Sequence, residues 1–113
     1  MPRKSACRPP LGDRPLMSPP RSLALAAVFK VLANDTRLRM LHALARAGEM
    51  GVNALADAVG MKPQAVSNQL RRLTGVVASR RVGTSILYRV VNGCVVGVLD
   101  QAWCLTEGAE DCG

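Results

Sequence analysis

The side chains best suited to chemistry in this chain sit in one short stretch. Gln64, Ser67, Asn68, Arg71 and Arg72 are interleaved there with Val66, Leu70 and Leu73. The three apolar residues fall at i, i+4 and i+7, so a helix through them buries one face and leaves the polar groups on the others. Those groups match nucleic-acid edges. Gln and Asn bond adenine bidentately, Arg bonds guanine, and Ser reaches a base edge or a phosphate. Catalysis finds no comparable material. The chain has one His, no candidate nucleophile beside a base and no glycine-rich phosphate loop, which argues against an enzyme.

A reading helix needs elements to hold it. Just upstream, Val52, Leu55, Ala56 and Val59 recur at helical spacing. Gly60 predicts a left-handed stop to that helix, and Pro63 suits the first position of the next. Helix, tight turn and helix make a helix-turn-helix candidate. The plain alternative is an antiparallel helix pair with a solvated polar face. Charge separates the two. Between Asp57 and Asp100 there is no acid, while Lys62, Arg71, Arg72, Arg80, Arg81 and Arg89 lie in that interval. Solvated faces usually mix signs, so an acid-free block predicts a phosphate-facing surface. Lys62 occupies the cap position of the second helix, at a cost of order 1 kcal/mol, and can reach a phosphate.

Two runs rich in Val and Ile, 76–82 and 86–91, flank Gly83-Thr84-Ser85 and predict a hairpin. Directly after a reading helix, such a hairpin reads as a wing, with Arg80, Arg81, Thr84 and Ser85 contacting phosphate or the minor groove. Upstream, Leu25, Val28, Phe29 and Leu32 form a helical stripe, with Ser22 a candidate cap. Asn34-Asp35-Thr36 supplies capping groups for a second helix. That helix is expected to turn Leu38, Leu41, Leu44 and Ala45 inward and Arg37, Arg39 and Arg46 outward. His42 has no second His or carboxylate at i±4, which favours a surface or packing role over a metal ligand. Residues 47–51 read as a loop. A last helix, capped by Asn92, carries Cys94, Val95, Val98, Leu99, Ala102, Trp103 and Leu105 over too broad an arc for one core face. A second copy of the chain is the natural cover, so a homodimer is expected.

The totals agree with one small basic domain: 113 residues, a net charge of +7 and a core limited to small aliphatics, with one Phe, one Trp and one Tyr. Residues 1–20 hold six of the seven prolines together with Arg3, Lys4, Arg8 and Arg14, and are expected to be a disordered tail. Translation starting at Met17 would remove most of it. Residues 21–106 form the expected DNA-binding and dimerisation domain, and 107–113 a flexible acidic tail with Glu107, Glu110 and Asp111. No apolar run approaches the ~20 residues of a membrane span and no signal segment is evident, so a cytoplasmic protein without a membrane partner is expected. In such a setting four cysteines suit thiols, metal ligands or redox sensors better than a disulfide scaffold.

The run from Phe29 to Leu41 (Phe-Lys-Val-Leu-Ala-Asn-Asp-Thr-Arg-Leu-Arg-Met-Leu) resembles the opening of the ArsR-type metalloregulator repressors. Leu55-Ala56 to Gly60, Val66-Ser67-Asn68-Gln69-Leu70 and Tyr88-Arg89-Val90 extend the resemblance over roughly residues 22 to 106. It implies a dimeric winged helix-turn-helix repressor that binds a palindromic operator and is released by an inducer, often a thiophilic or transition metal. Three departures stand out. Glu49-Met50-Gly51-Val52-Asn53 replaces the family's Cys-x-Cys motif. The last helix lacks the Asp/His and His/Glu pairs of the family's zinc site. The segment from Leu73 to Val77 is about two residues shorter than usual.

Cys94, Cys104 and Cys112 are left for sensing, with Cys7 in the tail. Ten residues of helix separate Cys94 from Cys104 by about 15 Å, too far for one ion. In an antiparallel pair of last helices centred near Leu99, Cys94 of one chain would face Cys104 of the other, completed by Cys112. Three thiolates suit As(III), whereas Zn(II) or Cd(II) prefers a fourth ligand. A disulfide or persulfide switch uses the same pairing, and two small apolar residues in a dimer core are the third possibility. The expected fold is mainly α with a small β-hairpin, a winged helix-turn-helix dimerising through its terminal helices. The expected function is inducer-responsive repression, by cysteine-bound metal or metalloid, with no required cofactor. A redox-responsive repressor and a winged-helix protein-interaction module are the alternatives.

Overall fold

The computed structural model describes residues 8–91 and 93–108. They divide into two units at the Lys30–Val31 bond. In the first, a 3-10 turn over Leu11–Asp13 is followed by helix α1, Pro19–Leu32, which runs on into the second unit. The prolines of the basic segment therefore end in a helix and not before one. Pro19 and Pro20 occupy its first turn, where no intrahelical N–H is required. The Ser18 hydroxyl accepts the Arg21 N–H at 3.3 Å, so the cap is Ser18 and not Ser22. Leu23, Leu25, Val28 and Phe29 are all exposed.

The second unit holds α2 (Asp35–Ala47), β1 (Met50–Gly51), α3 (Val52–Val59), α4 (Pro63–Arg72), β2 (Val77–Val82), β3 (Ser85–Val90) and α5 (Gly93–Glu107). Its core is Leu32 with Met40, Leu41 and Leu44 from α2, Leu55, Ala56 and Val59 from α3, Val66 and Leu70 from α4, then Leu73 and Val76. Each fully buried large side chain contributes about 1.5–3 kcal/mol of transfer free energy. On α2 the inward set differs from expectation by rotation. Met40 is fully buried, whereas Leu38 and Ala45 are exposed.

Local signals set the element boundaries. Asn34 caps α2, its Oδ1 accepting the Arg37 N–H at 3.0 Å. Gly60 closes α3 at φ 70° and ψ 37°, and the Met61 N–H reaches back to the Ala56 carbonyl at 2.9 Å. That backbone conformation needs glycine. Pro63 then opens α4. Val82 pairs with Ser85 across Gly83-Thr84, and only Gly83 has positive φ, at 63°, so the turn is of the primed type with glycine first.

The sheet is antiparallel with strand order β1-β3-β2. β1 lies in the segment 47–51 that the sequence marks as a loop. Met50 pairs with Tyr88 and Gly51 with Leu87, which covers the free edge of β3. Two residues are too few to show alternation in a sequence. Side chains of Ala78, Arg80 and Val82 share one face with Arg89, Leu87 and Ser85, and those of Val77, Ser79 and Arg81 share the other with Val90, Tyr88 and Ile86. α5 contributes no fully buried residue; Val95 and Leu99 pack partly on the core. Trp103 is 54% exposed and Leu105 84%. The cap expected from Asn92 lies outside the described residues.

Candidate nucleic-acid interface

Burial of Val66 and Leu70 fixes the rotation of α4. Gln64, Asn68, Arg71 and Arg72 are consequently exposed and Ser67 half-buried, the arrangement expected of a reading face. Three of these side chains are tied together. Gln64 Nε2 donates to Asn68 Oδ1 at 3.3 Å, and Arg71 Nη2 donates to the same oxygen. The network holds the Asn68 amide between an amide and a cation. A bidentate bond to adenine requires that oxygen to exchange at least one of these donors for the base. Lys62 is exposed at the cap position and offers no cap hydrogen bond, which leaves its ammonium available to a phosphate.

Gln69 shows how α4 is held from behind. Its Oε1 accepts Arg37 Nε at 2.9 Å, while Arg37 Nη1 donates to the Val31 carbonyl at 3.0 Å. One half-buried guanidinium thus joins the end of α1 to the middle of α4. Arg39 behaves similarly, its Nη1 donating to the Val59 carbonyl at the end of α3 at 2.9 Å. Both were expected to point outward as surface cations. No local signal marks either bond, because the partners are 32 and 20 residues away.

The wing separates two arginines that are neighbours in sequence. Strand alternation puts Arg81 on the sheet face that carries Ser79 and Tyr88, which with Ser67 and Arg71 of α4 line a cavity of about 350 Å3. Arg80 lies on the opposite face. Its Nε and Nη2 donate to the two Glu49 carboxylate oxygens at 2.6 and 2.8 Å. Those hydrogen bonds are the largest influence holding the Glu49 carboxyl below its ordinary value; burial opposes them, and Arg80 and Arg89 charges reinforce them. The Arg80 pKa is raised by the same pair. Glu49 precedes the acid-free interval in sequence, yet the fold brings it against the wing. Thr84 and Ser85 are exposed at the tip.

On the other side of the unit, α2 and α5 enclose a cleft of about 660 Å3 lined mainly by Leu38, His42, Ala45, Val96, Leu99 and Trp103. His42 meets Trp103 edge-on, ring centroids 5.5 Å apart at 77°, so it packs on an aromatic ring. Both cysteines of α5 are described: Cys94 is exposed, and Cys104 is half-buried and disulfide-bonded. Cys7 and Cys112 lie outside the described residues. Among the described residues no group of three or more His, Cys, Asp or Glu side chains could hold a metal ion. Any metal site using Cys94 and Cys104 must therefore draw on a second chain or on residues beyond those described. No described helix is long and apolar enough to cross a membrane.

A helix-turn-helix domain model matches residues 32–77. The chain is 41% identical over 80 residues to the transcriptional regulator NmtR of Mycobacterium tuberculosis, covering 69% of this chain and 66% of that protein. It is 35% identical over 101 residues to the arsenic resistance transcriptional regulator ArsR1 of Pseudomonas putida, covering 80% and 74%. Among solved structures, the antimony-specific transcriptional repressor AntR superposes with a TM-score of 0.77 at 52% identity, covering 88% of this chain and 92% of that one. The homodimeric winged helix-turn-helix DNA-binding domain of Mb0332 from Mycobacterium bovis superposes at 0.70 with 33% identity, covering 83% and 91%.

Proposed function

The chain belongs to the ArsR-type family of winged helix-turn-helix transcriptional regulators, and from that membership we propose that it is a homodimeric, inducer-responsive repressor rather than an enzyme. The observation that carries this reading is α4: exposed Gln64, Asn68 and Arg71 stand over buried Val66 and Leu70. In the major groove Gln64, Ser67, Asn68 and Arg71 read or position bases, while Lys62, Arg72 and Arg81 meet the phosphates. Two such helices in a two-fold dimer call for a palindromic operator. The exposed apolar stripes of α1 and α5 supply the dimer surface.

The inducer acts through α5. In an antiparallel pair of these helices Cys94 of one chain approaches Cys104 of the other, and Cys112 completes the set. Reduced thiolates of this number suit a trivalent metalloid such as arsenite or antimonite, and the chain's similarity to the antimony-specific repressor AntR and the arsenic resistance regulator ArsR1 supports that chemistry. When bound, the inducer favours a dimer geometry in which the two reading helices no longer fit successive grooves. Arg39 gives α5 a physical link to the reading motif: it lines the cleft under α5 and bonds the last carbonyl of α3. The disulfide at Cys104 supports a second reading, in which thiol oxidation is the signal.

The test is binding of the reduced dimer to its own upstream DNA, with and without arsenite, antimonite, Cd(II), Zn(II) and Ni(II). Release by one thiophilic species, abolished in Cys104→Ser, is expected. Release only by oxidant moves the signal to the second reading. Absence of salt-dependent binding overturns repression and leaves the protein-interaction module.

A further inference from the structure

Arg80 stands on the wing among the cations of the proposed DNA-facing surface, yet the side-on edge of its guanidinium, Nε with Nη2, is already used. Its Nε and Nη2 face the two oxygens of one carboxylate, the fork-on-fork arrangement in which arginine also takes phosphate. Glu49 comes from the residue before β1, and β1 is hydrogen-bonded to β3. The register places Glu49 over Arg89 and on the same sheet face as Arg80, away from the face that Arg81 shares with the α4 side of the sheet. The pair is therefore held by backbone pairing at one end and by the hairpin at the other, and needs no rearrangement of either.

We propose that Glu49 is an internal phosphate surrogate: it occupies Arg80, withholds that cation from DNA and so sets how strongly the wing binds the duplex backbone. The inference rests on the DNA-binding reading above and deepens it by assigning the two faces of the wing different work. Arg81 meets phosphate, whereas Arg80 is retained by Glu49. A phosphate contact carries no base sequence, so a wing with both arginines available would bind every duplex more tightly without discriminating better. Limiting the wing to one cation leaves discrimination to the α4 side chains.

The test is the salt dependence of binding to a random-sequence duplex and to the operator. Glu49→Gln keeps the size of the half-buried side chain and removes its charge. Freed Arg80 then gains a phosphate, and the slope of log affinity against log salt steepens by about 0.9 per subunit, about 1.8 per dimer, equally on both duplexes. Introduced into Arg80→Gln, the same substitution produces no such steepening. An unchanged slope in Glu49→Gln, or equal steepening in the Arg80→Gln background, overturns the proposal while leaving repression intact. Failure of the unsubstituted chain to bind any duplex in a salt-dependent way overturns both.

Discussion

Replacing Arg37 by Lys tests whether α4 is held from behind by a guanidinium fork. Lysine keeps the charge and the aliphatic stem, but a single ammonium cannot serve Gln69 Oε1 and the Val31 carbonyl in the geometry that Nε and Nη1 provide. At least one charge-assisted hydrogen bond is lost. Such bonds contribute about 1.5–3 kcal/mol in full burial. Arg37 is half-buried and its orphaned partner rehydrates, so a loss of about 1 kcal/mol is expected. With a urea slope of about 2 kcal/mol per molar, the unfolding midpoint falls by roughly 0.5 M. Midpoints must be compared at equal chain concentration, because a dimer's stability depends on it. In the Gln69→Ala background the same substitution should cost less, since the shared bond is already gone. Operator affinity should fall while random-duplex affinity and its salt slope stay level, the charge being kept. An unchanged midpoint, or strict additivity with Gln69→Ala, would refute the account.

Three further outcomes are expected. Asn68→Ala should lose about 1–3 kcal/mol on the operator, roughly five- to 150-fold, with little change on random DNA; equal losses on both would remove its base-reading role. Arg81→Ala should weaken every duplex and flatten the salt slope by about 0.9 per subunit, and a slope that stays put would take Arg81 off the backbone. The Glu49 carboxyl should titrate below its ordinary 4.5, because Arg80 bonds its charged form. The folded-state value being depressed, the contribution of the pair is complete above 4.5 and disappears as pH falls through the lowered value. A carboxyl-carbon NMR titration reads this directly, and an Arg80→Gln chain that titrates no higher would contradict the cause.

The reading motif was legible because its signals are local. Gly60, Pro63 and the spacing of Val66, Leu70 and Leu73 each act within one or two turns of chain, and the hairpin follows from Gly83 between two β-branched runs. What escaped the sequence acts across it. Glu49 and Arg80 are 31 residues apart and meet only after β1 joins β3, which a two-residue strand gives no pattern to foretell. Arg37 and Arg39 looked like surface cations because helical periodicity assigns a face and not a partner. Leu38 left its expected inward place and Met40 filled the core, because α2 packs with its inward stripe rotated, so Leu38 lines the cleft against α5. Pro19 and Pro20 fall in the segment whose proline content predicts disorder, although a first helical turn tolerates them.

The absence of fully buried residues on α5 has a consequence for how such a protein can change. The reading motif closes its own core with α2, α3, α4 and the strand that follows. α5 rests on that core through Val95 and Leu99, both only partly buried. Substitutions at its exposed positions leave the buried core beneath undisturbed, so their cost falls on the dimer surface and not on the fold of the single chain. Side chains of α5 can then change while the exposed face of α4 stays as it is.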